Sequence, residues 1–327
     1  MEGGTSRTLF FVAEKQTGPK KKCDYEIIGA RNVNTPQEII AALEANQQKN
    51  AQQLLIPVLT DPFEYKGKDQ VIPLQPEQVF FMDYTHAADI HQANILEVGL
   101  GSGILSIFCL MKGAAHCTGL EINPRAKIFT GYNTLFNDLD ARLEIKDGNV
   151  TDIFAPVEGR KFNFIYSNPP FEPTPPGMDY YFNSAAGIYG LTFVEELLKN
   201  VDQHLEDNGV FQMVTMAPGN EQEAFMLQEL AEKYLPGTAA EIILDLQPIT
   251  YAAFVDRFVS IFGEEEEKIQ QMKTQADKDG VTHLHMLVFK YRKGMKGNVQ
   301  TVRTHKTYET WSSPLGTANT LYSSIAS

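Results

Sequence analysis

Four residues near the middle of the chain, Asn168-Pro-Pro-Phe171, combine an amide side chain, two rigid rings and an aromatic face. An amine or primary amide nucleophile has N–H groups to donate. The side-chain oxygen of Asn168 and the backbone oxygen of Pro169 can accept them, and Phe171 can stack on a planar target. About seventy residues upstream lies Ile95–Gly103, with the sequence ILEVGLGSG. It reads as a buried strand running into a glycine turn and then a helix. Gly99, Gly101 and Gly103 tolerate positive φ and let a ligand approach the backbone closely. Glu121 ends the next apolar run, where a carboxylate can accept both hydroxyls of a ribose.

These residues need a scaffold that brings strand ends together. Runs at 94–100, 115–121, 142–146, 162–167 and 210–216 read as strands. Helices are expected at about 102–113, 123–137, 187–206 and 220–234, and strand–helix alternation implies a parallel sheet covered on both faces. Residues 241–246, a helix near 251–262 and residues 284–291 finish it. The expected fold is α/β: a doubly wound, mostly parallel, seven-stranded Rossmann-like sheet with a small N-terminal subdomain. The expected boundaries are a helical or mixed subdomain at 1–75, a catalytic domain at 76–293 and a tail at 294–327. Within the first, residues 1–22 read as short and mixed, a helix is expected from Thr35, and 71–73 is a candidate strand. Asp83, Tyr84 and His86, on a helix expected from Pro76, stand where they can close over a cofactor. The acidic run from Glu264 to Glu267 opens a polar, helix-like segment to Gly280 that reads as a solvated insertion.

The glycine turn admits two readings. A dinucleotide fold wants a third small residue where this chain has Ile104, so a nicotinamide-dependent oxidoreductase is the weaker reading. The segment Glu97–Gly103 instead resembles the first motif of class I S-adenosylmethionine-dependent methyltransferases, and Gly119–Pro124 (GLEINP) resembles their second. The resemblance implies S-adenosylmethionine as cofactor, held by Glu97, Gly99, Gly101, Gly103 and Glu121, with Asn123 beside them. It also implies an acidic or polar contact to adenine after the third strand, for which Asp147 and Asn149 compete.

The NPPF segment narrows this. It resembles the release-factor glutamine N-methyltransferase group, whose signature is NPPY or NPPF. The similarity extends back to Asp61–Gly67 and Ile72–Glu77, and forward through Gly187–Leu191 to Leu205–Gly209. It implies transfer of a methyl group to nitrogen, with Asn168, Pro169 and Phe171 catalytic. Pro170, Tyr180 and Tyr181 join Asn168 and Phe171 in lining the acceptor pocket, and Asn168 stands close enough to reach the cofactor as well. The donor is a sulfonium, so alignment and desolvation matter more than acid–base help. Three departures point to a rebuilt pocket: Leu74-Gln75 where the group has an arginine, an aromatic Pro-rich loop after Phe171, and Ala217-Pro-Gly219 after a late strand. The expected acceptor is an amine or amide of a small molecule or of a protein. Alternatives are a glutamine N-methyltransferase of release-factor type and another alkyl transfer or cyclisation.

Composition bounds the partners. The net charge is −13, which resists a phosphate backbone unless basic residues cluster, so nucleic acid is disfavoured. The dense basic runs, 20–22 and 290–296, read as solvated edges. No apolar run reaches the roughly 18–20 residues that span a bilayer. Cys23, Cys109 and Cys117 lack CxxC spacing and read as free thiols of a cytoplasmic protein. His283 and His285 share one strand face without a third metal ligand, so no metal is expected.

Overall fold

Apolar alternation becomes register in the folded chain. Ile95, Phe164 and Val210 pack on one side of the central sheet, while their neighbours Leu96, Ile165 and Phe211 pack on the other. Burial on both faces is what a covered parallel sheet requires. The computed structural model describes residues 6–17, 22–49, 55–65, 67–175, 187–262, 266–309 and 311; at 15–17, 22–24, 46–49 and 258–262 it describes the backbone alone.

The chain opens with β1 (Arg7–Thr17), β2 (Lys22–Val33), α1 (Pro36–Lys49) and β3 (Leu55–Thr60). Next come α2 (Pro76–Asp83), α3 (Ala87–Ile90), β4 (Asn94–Val98), α4 (Ile104–Met111), β5 (His116–Glu121), α5 (Pro124–Phe136), β6 (Leu143–Asp147) and β7 (Phe162–Ser167). The remainder is α6 (Thr192–His204), β8 (Leu205–Gly219), α7 (Phe225–Tyr234), β9 (Thr238–Leu244), β10 (Ile249–Thr250), α8 (Tyr251–Phe262), α9 (Glu266–Lys278), β11 (His283–Lys296) and β12 (Val299–Arg303).

The large sheet runs in the order β12-β9-β11-β8-β7-β4-β5-β6, with β10 paired to β11. β4 pairs in parallel with β5 and β7, and β11 runs antiparallel between β8 and β9. The seven expected strands are all present, and β10 and β12 enlarge the sheet to nine among the described residues. The parallel strands end on one edge, where β4 meets the glycine turn, β5 delivers Glu121 and β7 delivers Asn168.

Four local expectations are corrected. Within 1–22, expected to be short and mixed, residues 7–17 form the long strand β1, which pairs antiparallel with β2 on one side and β3 on the other. Leu9 and Phe11 pack toward Ile39 and Phe129, while Phe10 and Val12 pack toward Phe80 and Phe108. Residues 71–73 form no strand: Val71 is held by Asp61, and Pro73 has no N–H for a ladder. The helix expected after 264 is α9, but it is not a solvated insertion: Ile269, Met272 and Ala276 lie on one stripe buried against Tyr251, Phe254 and Val255. Past 294, β12 pairs in parallel with β9. Beyond it, Asp245 accepts the backbone N–H groups of Tyr308 and Glu309, at 2.9 and 2.7 Å.

Candidate active site

Gly99 and Gly101 have φ of +81° and +55°. An added Cβ would meet nothing within 4 Å at either, so the left-handed turn faces open space. Gly103, at φ +77°, is the N-cap of α4. The turn is held from below and from one side. The Thr130 hydroxyl donates to the Gly101 carbonyl at 3.1 Å. Asn133 is fully buried and donates to the carbonyls of Ser102 and Leu59 while accepting from the Leu59 N–H. One α5 amide thus ties the turn to β3 of the N-terminal sheet.

Glu121 is 7% exposed, and its two oxygens each accept a backbone N–H at 2.8 Å, from Gly101 and from Asn123. Burial raises the pKa of this carboxyl, and the backbone N–H groups of Asn123 and Gly101 pull it back down. Each oxygen keeps lone-pair capacity for a ribose hydroxyl. The open backbone above the turn and a carboxylate already oriented at its rim fit S-adenosylmethionine. Asn123 caps α5 by accepting from the Arg125 N–H at 2.9 Å and donates to the Asp69 carbonyl. Its side chain shapes the site from the helix end.

Glu97 lies beneath the turn. It is 2% exposed and accepts from the Ser106 hydroxyl and backbone N–H inside a buried group with Tyr166 and Cys117. Burial pushes its pKa up to about 8. Asp147 and Asn149 follow β6, which pairs Asp147 with Glu121. Asp147 is exposed and ion-paired to Lys127. Asn149 closes an Asx turn, its oxygen accepting from Thr151 and Asp152. Both stand on the same rim as Glu121.

Asn168 follows β7, whose last residue, Ser167, donates to the Val98 carbonyl at 2.7 Å and so fixes the two strand ends together. Glu77, at the start of α2, is 8% exposed, and burial pushes its carboxyl up to about 8. The Asn168 Oδ1 is buried and has no partner among the described residues. Pro169 is buried, and Pro170 and Phe171 are half-buried. Phe171 packs at the junction of two apolar clusters, which Trp311 also joins. Tyr180 and Tyr181 lie outside the described residues.

Asp83 and Tyr84 serve packing, and His86 is exposed. Asp83 accepts from the Tyr25 N–H and the Tyr308 hydroxyl, and Tyr84 meets the edge of Phe80. His285 is buried, with Nε2 at 2.7 Å from the Asn220 carbonyl. No group of three metal-ligating side chains occurs among the described residues. Thr130 and Asn133, which hold the glycine turn, escaped sequence reasoning.

The sequence of residues 80–235 matches the family described as methyltransferase small domain. The match covers just under half of the chain. The match bears out an S-adenosylmethionine-dependent methyltransferase, as the glycine turn and NPPF led one to expect. A Methanocaldococcus jannaschii protein, provisionally named protein N5-glutamine methyltransferase, is 29% identical over 46% of this chain and 75% of its own length. The release factor glutamine methyltransferase of Aquifex aeolicus is 30% identical over 52% of this chain and 62% of its own. A Pyrococcus furiosus methyltransferase structure is similar at 18% identity and a TM-score of 0.41, covering 72% of this chain and 90% of that one. Among the described residues, no helix is long and apolar enough to cross a membrane.

Proposed function

We propose that this enzyme methylates a side-chain amide nitrogen of a protein or peptide, with glutamine as the acceptor to test first. One observation carries the reading: the buried, unpartnered Oδ1 of Asn168, at the edge where the glycine turn and Glu121 also end. Leaving such an acceptor unpaired costs about 1–3 kcal/mol. An amide N–H arriving from the acceptor relieves that cost. The names of the two curated relatives support glutamine as its source.

Bound S-adenosylmethionine supplies an electrophilic methyl group. Gly99, Gly101, Gly103 and Glu121 would hold it, with Asp147 or Asn149 near the adenine end and Glu97 bracing the turn. Asn168 Oδ1 and the Pro169 carbonyl accept the N–H groups of the acceptor and turn its nitrogen toward the methyl. Pro170 and Phe171 wall the pocket, and Phe171 stacks on the planar amide. Positioning of this kind, with water excluded, is the main aid a direct displacement needs. The buried free thiols of Cys109 and Cys117 fit a reducing, cytoplasmic compartment.

The test is incubation with methyl-labelled S-adenosylmethionine and peptides bearing glutamine, asparagine or lysine, read by mass spectrometry. Label on the glutamine side chain is expected. Label on lysine alone would replace the amide reading with an amine one.

A further inference from the structure

We infer that two copies of this chain pair through the free edge of β6 and the outer face of α5. β6 ends the large sheet: it pairs with β5 on one side and, among the described residues, with no strand on the other. Such an edge presents unpaired backbone N–H and C=O groups to any strand that can join it. α5 lies beside it and carries two apolar stripes. Ala126 and Phe129 are buried against the N-terminal sheet. Ile128, Tyr132 and Leu135, at i, i+4 and i+7, turn the other way and are 59%, 38% and 55% exposed. Between this second stripe and Leu143 and Ile145 of β6 lies a cleft of about 360 Å³. Large apolar side chains gathered along an open strand edge are the pattern of an interface.

The charges of the strand select a second copy as the occupant. β6 reads Leu143-Glu-Ile-Lys-Asp147. Antiparallel pairing with itself about a two-fold axis at Ile145 sets Ile145 opposite its own copy. It also sets Glu144 opposite Lys146 of the second chain, twice over. Unlike charges directly opposite stabilise a strand pair, and like charges oppose it. Moving the axis by one residue either way sets Glu144 against Glu144 or Lys146 against Lys146, so charge favours a single register. The strand is also neutralised within its own protomer. Arg160 reaches Glu144 at 2.9 Å, and Lys127 pairs with Asp147. The meeting edges therefore carry little of the −13 net charge. A two-fold axis normal to the sheet keeps both α5 helices on one face, with their outer stripes facing each other across the axis. It turns the second carboxyl edge the opposite way, so the two glycine turns open on opposite sides of the dimer.

The test is sedimentation velocity on the full chain across about 1–100 µM, where a dimer is expected. Lys146→Glu sets two pairs of like charges across the axis and is expected to weaken association at least ~10-fold. Glu144→Lys does the same with the opposite sign. Each variant alone is expected to be monomeric where the wild type is dimeric. An equimolar mixture of the two is expected to restore the dimer, because an acidic edge then faces a basic one. S-adenosylmethionine affinity near wild type shows that each variant is folded. Leu135→Glu, at an exposed helix position, is expected to weaken the dimer without touching the strand, so a strand variant that fails to fold does not decide the question. A wild type that stays monomeric at ~100 µM overturns the inference, whether another segment of the chain or a different protein fills the cleft. A dimer indifferent to Lys146→Glu and Leu135→Glu overturns it too, by placing the contact elsewhere. So does a mixture of folded variants that stays monomeric.

Discussion

Replacing Glu121 with glutamine changes one oxygen to an NH2 and almost nothing in volume. Both carboxylate oxygens of Glu121 are in use, each accepting a backbone N–H at 2.8 Å. Glutamine keeps one acceptor, so either Gly101 N–H or Asn123 N–H must face another donor. An orphaned donor at a site this buried costs about 1–3 kcal/mol. The Asn123 bond orders the start of α5, and the Gly101 bond orders the turn that receives the cofactor. Whichever is lost, binding has to restore the turn. S-adenosylmethionine affinity should therefore fall by roughly 5- to 150-fold, and thermal stability should fall with it. Titration calorimetry and a melting curve on the same sample measure both. Unchanged affinity with an unchanged melting temperature would refute the view that Glu121 organises the turn.

Two further outcomes follow from the same structure. Gly190 has φ +73°, and a Cβ there would lie 2.1 Å from the Phe171 carbonyl oxygen. Gly190→Ala should cost at least ~2 kcal/mol, from backbone handedness plus displacement of the NPPF end. Denaturant titration and single-turnover transfer should both register it, with cofactor affinity retained; wild-type behaviour in both would contradict the packing described. Glu97 has its folded pKa raised to about 8 by burial, from about 4.3 in an unfolded chain. The stability this proton provides is full below the unfolded value and is lost as pH rises through about 8. Glu97→Gln cannot lose it, so its melting temperature should decline less than wild type between about pH 6 and pH 9. Parallel declines would place the Glu97 carboxyl in water.

What the sequence revealed follows from which forces are local. The strands of the catalytic edge are buried on both faces, so Ile95, Leu96, Phe164 and Ile165 stand out as apolar runs whatever the partner strand. The glycine turn is legible because backbone handedness is a property of single residues. β12 was hidden because four of its five side chains are exposed; its place in the sheet rests on backbone hydrogen bonds that any sequence can make. The burial of α9 was hidden by its charge, since a stripe of Ile269, Met272 and Ala276 is sparse among polar neighbours. Asn133 had no local signature. Its importance lies in contacts with Leu59 and Ser102, residues remote in the chain. The same limit explains Glu97, whose side chain turned inward to Ser106.

The central claim is that Asn168 Oδ1 receives the acceptor's N–H. Asn168→Ala removes that oxygen without touching the glycine turn or Glu121. The decisive measurement is single-turnover methyl transfer to a glutamine-bearing peptide by this variant, alongside its S-adenosylmethionine affinity. The predicted result is transfer slowed by at least ~100-fold with affinity close to wild type. Transfer at the wild-type rate would contradict the claim and leave NPPF a structural turn.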